Sequence, residues 1–462
     1  MSETLSMPTA GSWRHHPVQL RLIDAIAAVT WREVSAGDLA PTEEGPFLLF
    51  SNRFGGAADA IVLMSVLPRR PRILADDTIW RYPVARQVME WLGAIPVHRG
   101  RSAKGGEAHS GSDNTDMFSS CHEALAEGDS MLIFPEGITR EEPSIGEVKT
   151  GAARIALGAL DSGVRGLRIV PVGIHYDDKA AFRSSVYVRR GEPIDLDDLV
   201  EEAGAQSVVS DEVPTEREAV EQLTALIDER LRASAPNYDD WREARSLQSA
   251  SEAFLRTLAP DRSVPIGLRD RLASWLAADD GHESVEESAA EYRAALEQNG
   301  LDDGWAVEGK GGLRWRSVGK VLTWFLMLPY ALAGIVAHAI PLALTWLVTK
   351  LKLAPAVMAT VMPVAAAIIF GLTWCFWGWF GWRIDGIDGV ISFLVLFPIS
   401  FGALVLVAER AALWWRGLRN KLYGVRRGRR AGLSELRADT VQGVADLVNA
   451  ELVASNAADD SG

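Results

Sequence analysis

Apolar positions along this chain recur with three different spacings, and each spacing predicts a different kind of element. Up to residue 191 the apolar residues come in short, nearly continuous runs set between polar turns. Such runs predict strands at 48–52, 72–76, 94–98, 130–135, 168–176 and 185–191. Helical spacing appears between them, at 18–33, 60–67, 118–128 and 152–160. Pro41 to Gly45 reads as a turn, and residues 53–59 form a second turn rich in glycine. Strands alternating with helices predict an α/β domain over residues 1–194, with a mostly parallel central sheet flanked by helices. In such sheets, binding sites form at the loops leaving the strand ends.

From 195 to 304 the spacing becomes helical, polar and acidic, and predicts helices at 213–234, 240–258, 266–277 and 284–298. Residues 305–320 read as a linker. The third spacing is unbroken apolarity. The runs 321–348, 355–382 and 389–408 lie in a segment from 321 to 408, and the first two contain only uncharged residues. A membrane span needs about 20 apolar residues, so each run is long enough. Trp324, Trp346, Trp379 and Trp382 stand near run ends, where interfacial aromatics collect. A transmembrane helical domain is therefore expected, followed by a basic and then polar tail over 409–462.

Charge sharpens this picture. Lys310, Arg314, Arg316 and Lys320 precede the first run, Lys350 and Lys352 follow it, and eight basic residues from Arg410 to Arg430 follow the third. The second and third runs are joined by a net acidic connection containing Asp385 and Asp388. If all basic clusters face the cytoplasm, the first run enters and returns on one side, as a bent or re-entrant hairpin accommodated by Pro329 and Pro341. Three simple spans are the other arrangement. The segment 416–430 is suited to anionic headgroups. A net charge of −14 argues against nucleic acid as a partner. The two cysteines, Cys121 and Cys375, imply neither a disulfide framework nor a metal site. The N-terminus lacks an apolar signal core, so the first domain is expected in the cytoplasm.

Four segments carry candidate chemistry: 51–63 (SNRFGGAADAIVL), 92–101 (LGAIPVHRGR), 132–143 (LIFPEGITREEP) continued by 148–157 (VKTGAARIAL), and 168–176 (RIVPVGIHY). In this order they resemble the four motifs of the glycerol-3-phosphate and 1-acylglycerol-3-phosphate acyltransferases. The resemblance covers roughly residues 20–194 and extends more loosely to the membrane segment. It implies transfer of a fatty acyl group from acyl-CoA or acyl carrier protein to glycerol-3-phosphate or a lysophospholipid. It implies no cofactor and no metal, a membrane phospholipid as partner, and a multi-pass location in the cell membrane.

Such chemistry needs a base for the acceptor hydroxyl, donors for the oxyanion, and cations for the phosphate. The resemblance implies that Asp59 is the carboxylate that orients the base. It assigns substrate binding to Arg99, Glu136 and Gly137, with Arg140 and Lys149 as nearby phosphate contacts. Pro171 matches the proline of the fourth motif. At the catalytic position the pattern breaks, because Arg53 stands where the family has histidine. Arginine stays protonated at ordinary pH, so it is no general base; an Arg53–Asp59 ion pair is the expected replacement. His98, His109, His122 and His175 are the histidines that would have to stand in, and His338 lies inside the first apolar run. Three functions remain open on these grounds. They are an active acyltransferase, a catalytically impaired relative serving as a lipid-binding or scaffold module, and a protein whose work lies in the apolar segment.

Overall fold

A computed structural model describes residues 17–37, 46–54, 56–67, 70–81, 83–97, 112–137, 142–179, 181, 183–201, 215–260, 263–279, 281–306, 315–351, 355–424 and 427–459. His98, Arg99, His109 and Arg140 lie outside these residues. The chain divides into two compact units, residues 1–239 and 240–462.

The first unit is built on a mixed, mostly parallel sheet. Its strands are β1 (Glu33–Ala36), β2 (Phe47–Ser51), β3 (Arg72–Asp76), β4 (Ile95–Val97), β5 (Ser130–Ile133), β6 (Arg168–Tyr176), β7 (Ser185–Arg190) and β8 (Ile194–Asp195). Their order is β1-β7-β6-β2-β5-β3-β4, with β8 paired to β6. Central β2 runs parallel to both β5 and β6, in a register that sets Phe50 beside Ile133 and Pro171. Among the described residues, antiparallel pairing is confined to β7 and β8 against β6.

Side chains alternate across a strand, and the two faces bury different helices. Helices α1 (Pro17–Thr30) and α2 (Ala57–Val66) cover the face that carries Leu49, Val170, Val172 and Ile174. The face carrying Leu48, Phe50 and Ile169 is covered by α4 (Ser112–Ala126), α5 (Gly151–Asp161) and α6 (Glu216–Ser234); α3 (Pro83–Trp91) precedes β4. Helix α6 opens with a capping box, Thr215 and Glu218 each satisfying the other's backbone N–H. Its Leu223, Ile227 and Leu231 share the core of the sheet, so this helix belongs to the α/β unit.

The reading of 18–33 as helix needs correction, since α1 stops at Thr30. Residues 33–36 pair with β7 instead. Arg183, at φ 62, enforces the break: its N–H donates to Thr30 O at 2.9 Å and its guanidinium to Trp31 O at 2.7 Å. A long-range ladder here overrides local helical spacing. Gly173 is needed for another reason. A Cβ there would collide with the backbone of Ser234 and Ala235 at the end of α6. Gly173→Ala is expected to cost about 3 kcal/mol through overpacking against backbone. For a unit of this size that is roughly 6–12 °C in the thermal midpoint, readable by calorimetry.

The second unit contains helices α7 (Trp241–Leu258), α8 (Ile266–Ala277), α9 (Glu283–Asn299), α10 (Trp315–Val348), α11 (Pro355–Gly424) and α12 (Arg427–Asp459). Asp240 caps α7, accepting from the N–H groups of Arg242 at 2.7 Å and Glu243 at 2.8 Å. Near α9, Asp303 is a charged hub. It accepts from Tyr292 Oη at 2.7 Å, Arg256 Nε at 2.8 Å and Arg437 Nε at 2.8 Å.

The apolar residues form α10 and α11. Residues 322–348 and 365–412 are each long and apolar enough to cross a membrane, and only 22% and 17% of their most apolar windows are buried within the chain. Leu326, Ile335, Val336 and Ile340 are among the large apolar side chains left open on α10. A continuous apolar exterior of this kind is unusual for a chain bathed in water. Pro329 and Pro341 both lie inside α10, which runs unbroken to Val348. The first run therefore does not fold back on itself as a hairpin, because the turn before each proline finds its remaining hydrogen bonds within one helix. In α11 the backbone leaves helical geometry at Asp385 and at Gly386, whose φ is 59. The chain reverses there. A Cβ on Gly381 would meet Gly389 O at 2.7 Å, and Trp377 stacks on Phe393 at 5.8 Å.

Candidate functional site

The motif loops gather at the C-terminal ends of β2, β5 and β6, where parallel strands open toward a common edge. Asn52 anchors the first of them. Its side-chain amide donates to Ile174 O at 3.1 Å, and its carbonyl accepts from Ile174 N at 2.8 Å. The side chain thus adds one rung to the β2–β6 ladder. The next residue, Arg53, is held through its backbone: its N–H donates to Glu136 Oε1 at 3.0 Å. Its guanidinium lies over Phe134, with Cζ 5.3 Å from the ring centroid. At this spacing a cation–π attraction is worth about 0.5–1 kcal/mol.

Glu136 follows β5 in a tight turn closed by Gly137 N donating to Phe134 O at 3.0 Å. Gly137 takes φ 72, a left-handed conformation that other residues enter at a cost. Glu136 is buried, with 3% exposure. Its second oxygen accepts from Gly146 N at 2.9 Å. One carboxylate therefore joins three loops: the one after β2, the one after β5, and the segment around 146. Helix α6 braces that segment from behind. Arg232 donates to Ile145 O and Gly146 O, each at 3.2 Å, and Asn237 accepts from Ile145 N at 3.0 Å. Lys149 turns outward; its ammonium is exposed and pairs with Glu147 at 2.5 Å.

Asp59 stands in the first turn of α2, where the positive end of the helix dipole favours a carboxylate. It is fully buried. Tyr176, the last residue of β6, donates its phenolic O–H to Asp59 Oδ1 at 2.7 Å. Burial, then the Asp59 charge and hydrogen bond, hold the Tyr176 hydroxyl protonated well above its ordinary range. Because the folded pKa is raised, the bond contributes fully below about pH 10 and is lost only as pH climbs beyond it. Tyr176→Phe is expected to destabilise the unit by about 1.5–3 kcal/mol. The loss should be flat across roughly pH 6–9 in denaturant titrations. A loss that vanished on raising pH within that window would contradict a bond donated by a neutral phenol.

His175 belongs to the opposite face of the sheet. It is 1% exposed, its Nε2 lies 3.0 Å from Ser234 O, and its ring packs 5.7 Å from Tyr187. Neighbouring strand residues point to opposite faces, so His175 is turned from Asp59 toward α6. His122 packs against Gly158 where α4 meets α5, and burial, its largest influence, pulls its pKa down. Neither of these two histidines joins the Arg53–Glu136 loops. Asn52, Tyr176, Arg232 and Asn237 escaped the reading of the sequence as site residues. For Tyr176 there was a signal, since it closes the fourth motif; for Arg232 and Asn237, far along the chain, there was none.

Residues 33–175 match the family model named Acyltransferase. Over 143 residues the chain is 32% identical to glycerol-3-phosphate O-acyltransferase 2 of Saccharomyces cerevisiae, covering 31% of this chain and 18% of that protein. Over 231 residues it is 24% identical to glycerol-3-phosphate O-acyltransferase 1 of the same yeast, covering 47% of this chain and 30% of that protein. The chain thus spans less than a third of the length of either relative. Among solved structures, the 1-acyl-sn-glycerophosphate acyltransferase PlsC from Thermotoga maritima aligns with a TM-score of 0.31 at 16% identity, over 46% of this chain and 78% of that chain. The α/β unit is an acyltransferase domain. Over residues 33–175 its sequence is similar to that of the glycerol-3-phosphate acyltransferases.

Proposed function

We propose that this chain transfers acyl groups in glycerolipid synthesis, at the surface of a membrane that its apolar helices enter, and that the transfer is slow because its site lacks the usual base. The observation that carries this reading is the assembly around Glu136. The first and third motif loops are joined through one buried carboxylate, in the order that the family pattern requires. Positioning and oxyanion donors contribute to rate separately from the base, so an intact pocket retains part of its catalysis. Arg99 and Arg140 are the cations that the family pattern offers to the acceptor phosphate, and Asp59 stands buried behind the loop after β2. The acyl donor is acyl-CoA or acyl carrier protein, and the acceptor is glycerol-3-phosphate or a lysophospholipid. The acyltransferase unit faces the cytoplasm.

A second reading has its own support. With Arg53 at the base position and His175 turned to the far face, the pocket suits a lipid headgroup without turnover. Purified full-length protein in detergent separates the two. Radiolabelled acyl-CoA and acyl carrier protein are offered as donors with each acceptor. Slow but enzyme-dependent formation of acylated product supports the first reading. Headgroup binding with no product above the protein-free rate would sink it in favour of the second.

A further inference from the structure

The second unit restricts how its apolar helices pass through a bilayer, given the reading of α10 and α11 as membrane helices. Helices α7, α8 and α9 precede the apolar segment in the chain and α12 follows it. Yet α12 packs among the helices that come before. Leu433 shares a buried cluster with Ala253, Tyr292, Leu296 and Leu301. Arg437 reaches across to Asp303 at 2.8 Å and to Ala253 O at 2.8 Å. The Asp303 carboxylate, with a side chain only 5% exposed, also takes Arg256 and Tyr292. A hydrocarbon layer about 30 Å thick cannot lie between groups in hydrogen-bond contact.

The apolar helices point the same way by separate contacts. Trp324, early in α10, donates its indole N–H to Val407 O at 3.4 Å, late in α11. Further along α10, a Cβ on Gly334 would meet Ser400 O at 2.5 Å. Beyond that, the His338 ring lies 5.4 Å from Phe397 and 5.3 Å from Phe401. Partners in α11 move backward as α10 moves forward, so the two run antiparallel. The start of α10 and the end of α11 therefore share one end of the apolar assembly. The reversal at Asp385 and Gly386 lies toward the other end.

We propose that the apolar segment crosses the membrane an even number of times and returns the chain to the face from which it entered. Residues 240–306 and α12 then stand on one side. The acidic reversal with Asp385 and Asp388 then meets the other side, while in the sequence the basic residues cluster on the two flanks of the apolar segment. This distribution is the one that the bias of positive charge toward the cytoplasm favours. Three apolar runs thus do not make three crossings.

The test uses full-length protein in native membranes. Cys375→Ser removes the exposed thiol. Cys121 stays as a silent control, because burial pushes its thiol up to about 12 and hides it from reagent. Single cysteines are placed at exposed positions by Glu291→Cys, Glu451→Cys and Asp388→Cys. They are labelled with a membrane-impermeant maleimide in intact and in permeabilised cells. The expected result is identical behaviour for positions 291 and 451, and the reverse for 388. Opposite sidedness of 291 and 451 would overturn the even-crossing arrangement, and all three labelling alike would show that the segment never crosses. Protease protection of a C-terminal tag in sealed vesicles gives the sidedness of the tail without any cysteine. Extraction of the protein by alkaline carbonate would remove the membrane reading itself, an outcome distinct from wrong sidedness in a protein that stays in the pellet.

Discussion

Arg53→His is expected to raise the rate of acyl transfer by about 10²–10⁴-fold, the usual contribution of a positioned general base. An arginine at this position carries its proton at every working pH. An imidazole with an ordinary pKa near 6.5 is substantially neutral at pH 7 and takes the acceptor proton. The scaffold for it is in place. The main chain of residue 53 is held by Glu136, and Asp59 stands buried with Tyr176 donating to one of its oxygens. The stacking of Arg53 on Phe134, worth about 0.5–1 kcal/mol, is among the contacts that the substitution gives up. The decisive readout is the pH–rate profile. An acid limb near the imidazole pKa should appear in the variant and be missing from the parent. An unchanged rate with an unchanged profile would show that proton removal does not limit turnover in this pocket.

Glu136→Ala is expected to remove most activity, by at least about 10²-fold, and to destabilise the α/β unit as well. The two effects have one cause. Glu136 accepts from Arg53 N and Gly146 N, and its loss leaves two backbone donors without their partner in a buried place. Each such donor costs about 1–3 kcal/mol, so about 2–6 kcal/mol falls on the loops that shape the site. Loops displaced by even an ångström lose the alignment on which acyl transfer depends. Glu136→Gln should be only partly better, since its amide group turns a donor toward a donor. This outcome separates a brace from a simple substrate contact. A residue that only touched substrate would raise KM and leave the unfolding midpoint in place. Here the midpoint should fall, and kcat should fall with it.

The fold was legible wherever local pattern and tertiary demand agree. Fully buried parallel strands read as unbroken apolar runs, and β2, β3, β5, β6 and β7 fall within a residue or two of expectation. The acidic helices were equally plain, because capping residues such as Thr215 and Asp240 mark their starts. Legibility failed where distant chain decides. Helical spacing reads through to residue 33, but the helix stops at Thr30 and Glu33 to Ala36 are recruited by β7. The first apolar run carries two prolines and still forms one helix. At the site, the motif order singled out Asp59 and Glu136 but not all the groups that bond to them. Spacing says nothing of a phenol 117 positions away bonding to Asp59. Nor does it show that both oxygens of Glu136 are engaged by main chain. For Arg99 and Arg140, which lie outside the described residues, the assignment rests on the motifs alone.

The amide of Asn52 has a consequence for how a chain of this kind can change. Asparagine presents a donor and an acceptor at the reach of a peptide group; aspartate lacks the donor and glutamine is a methylene too long. With Asn52 fastened to both backbone groups of Ile174, and the following N–H fastened to Glu136, the main chain at 52 and 53 has holds of its own besides the side chain at 53. That side chain is a head on a fixed mount. Histidine can give way to arginine there in a single step of descent, with the loop keeping its course, and a reverse step meets the same unaltered seat. The chemistry of the pocket is thereby free to drift while its architecture stays under constraint, and sequences with the mount intact but the head exchanged are what such a lineage should contain.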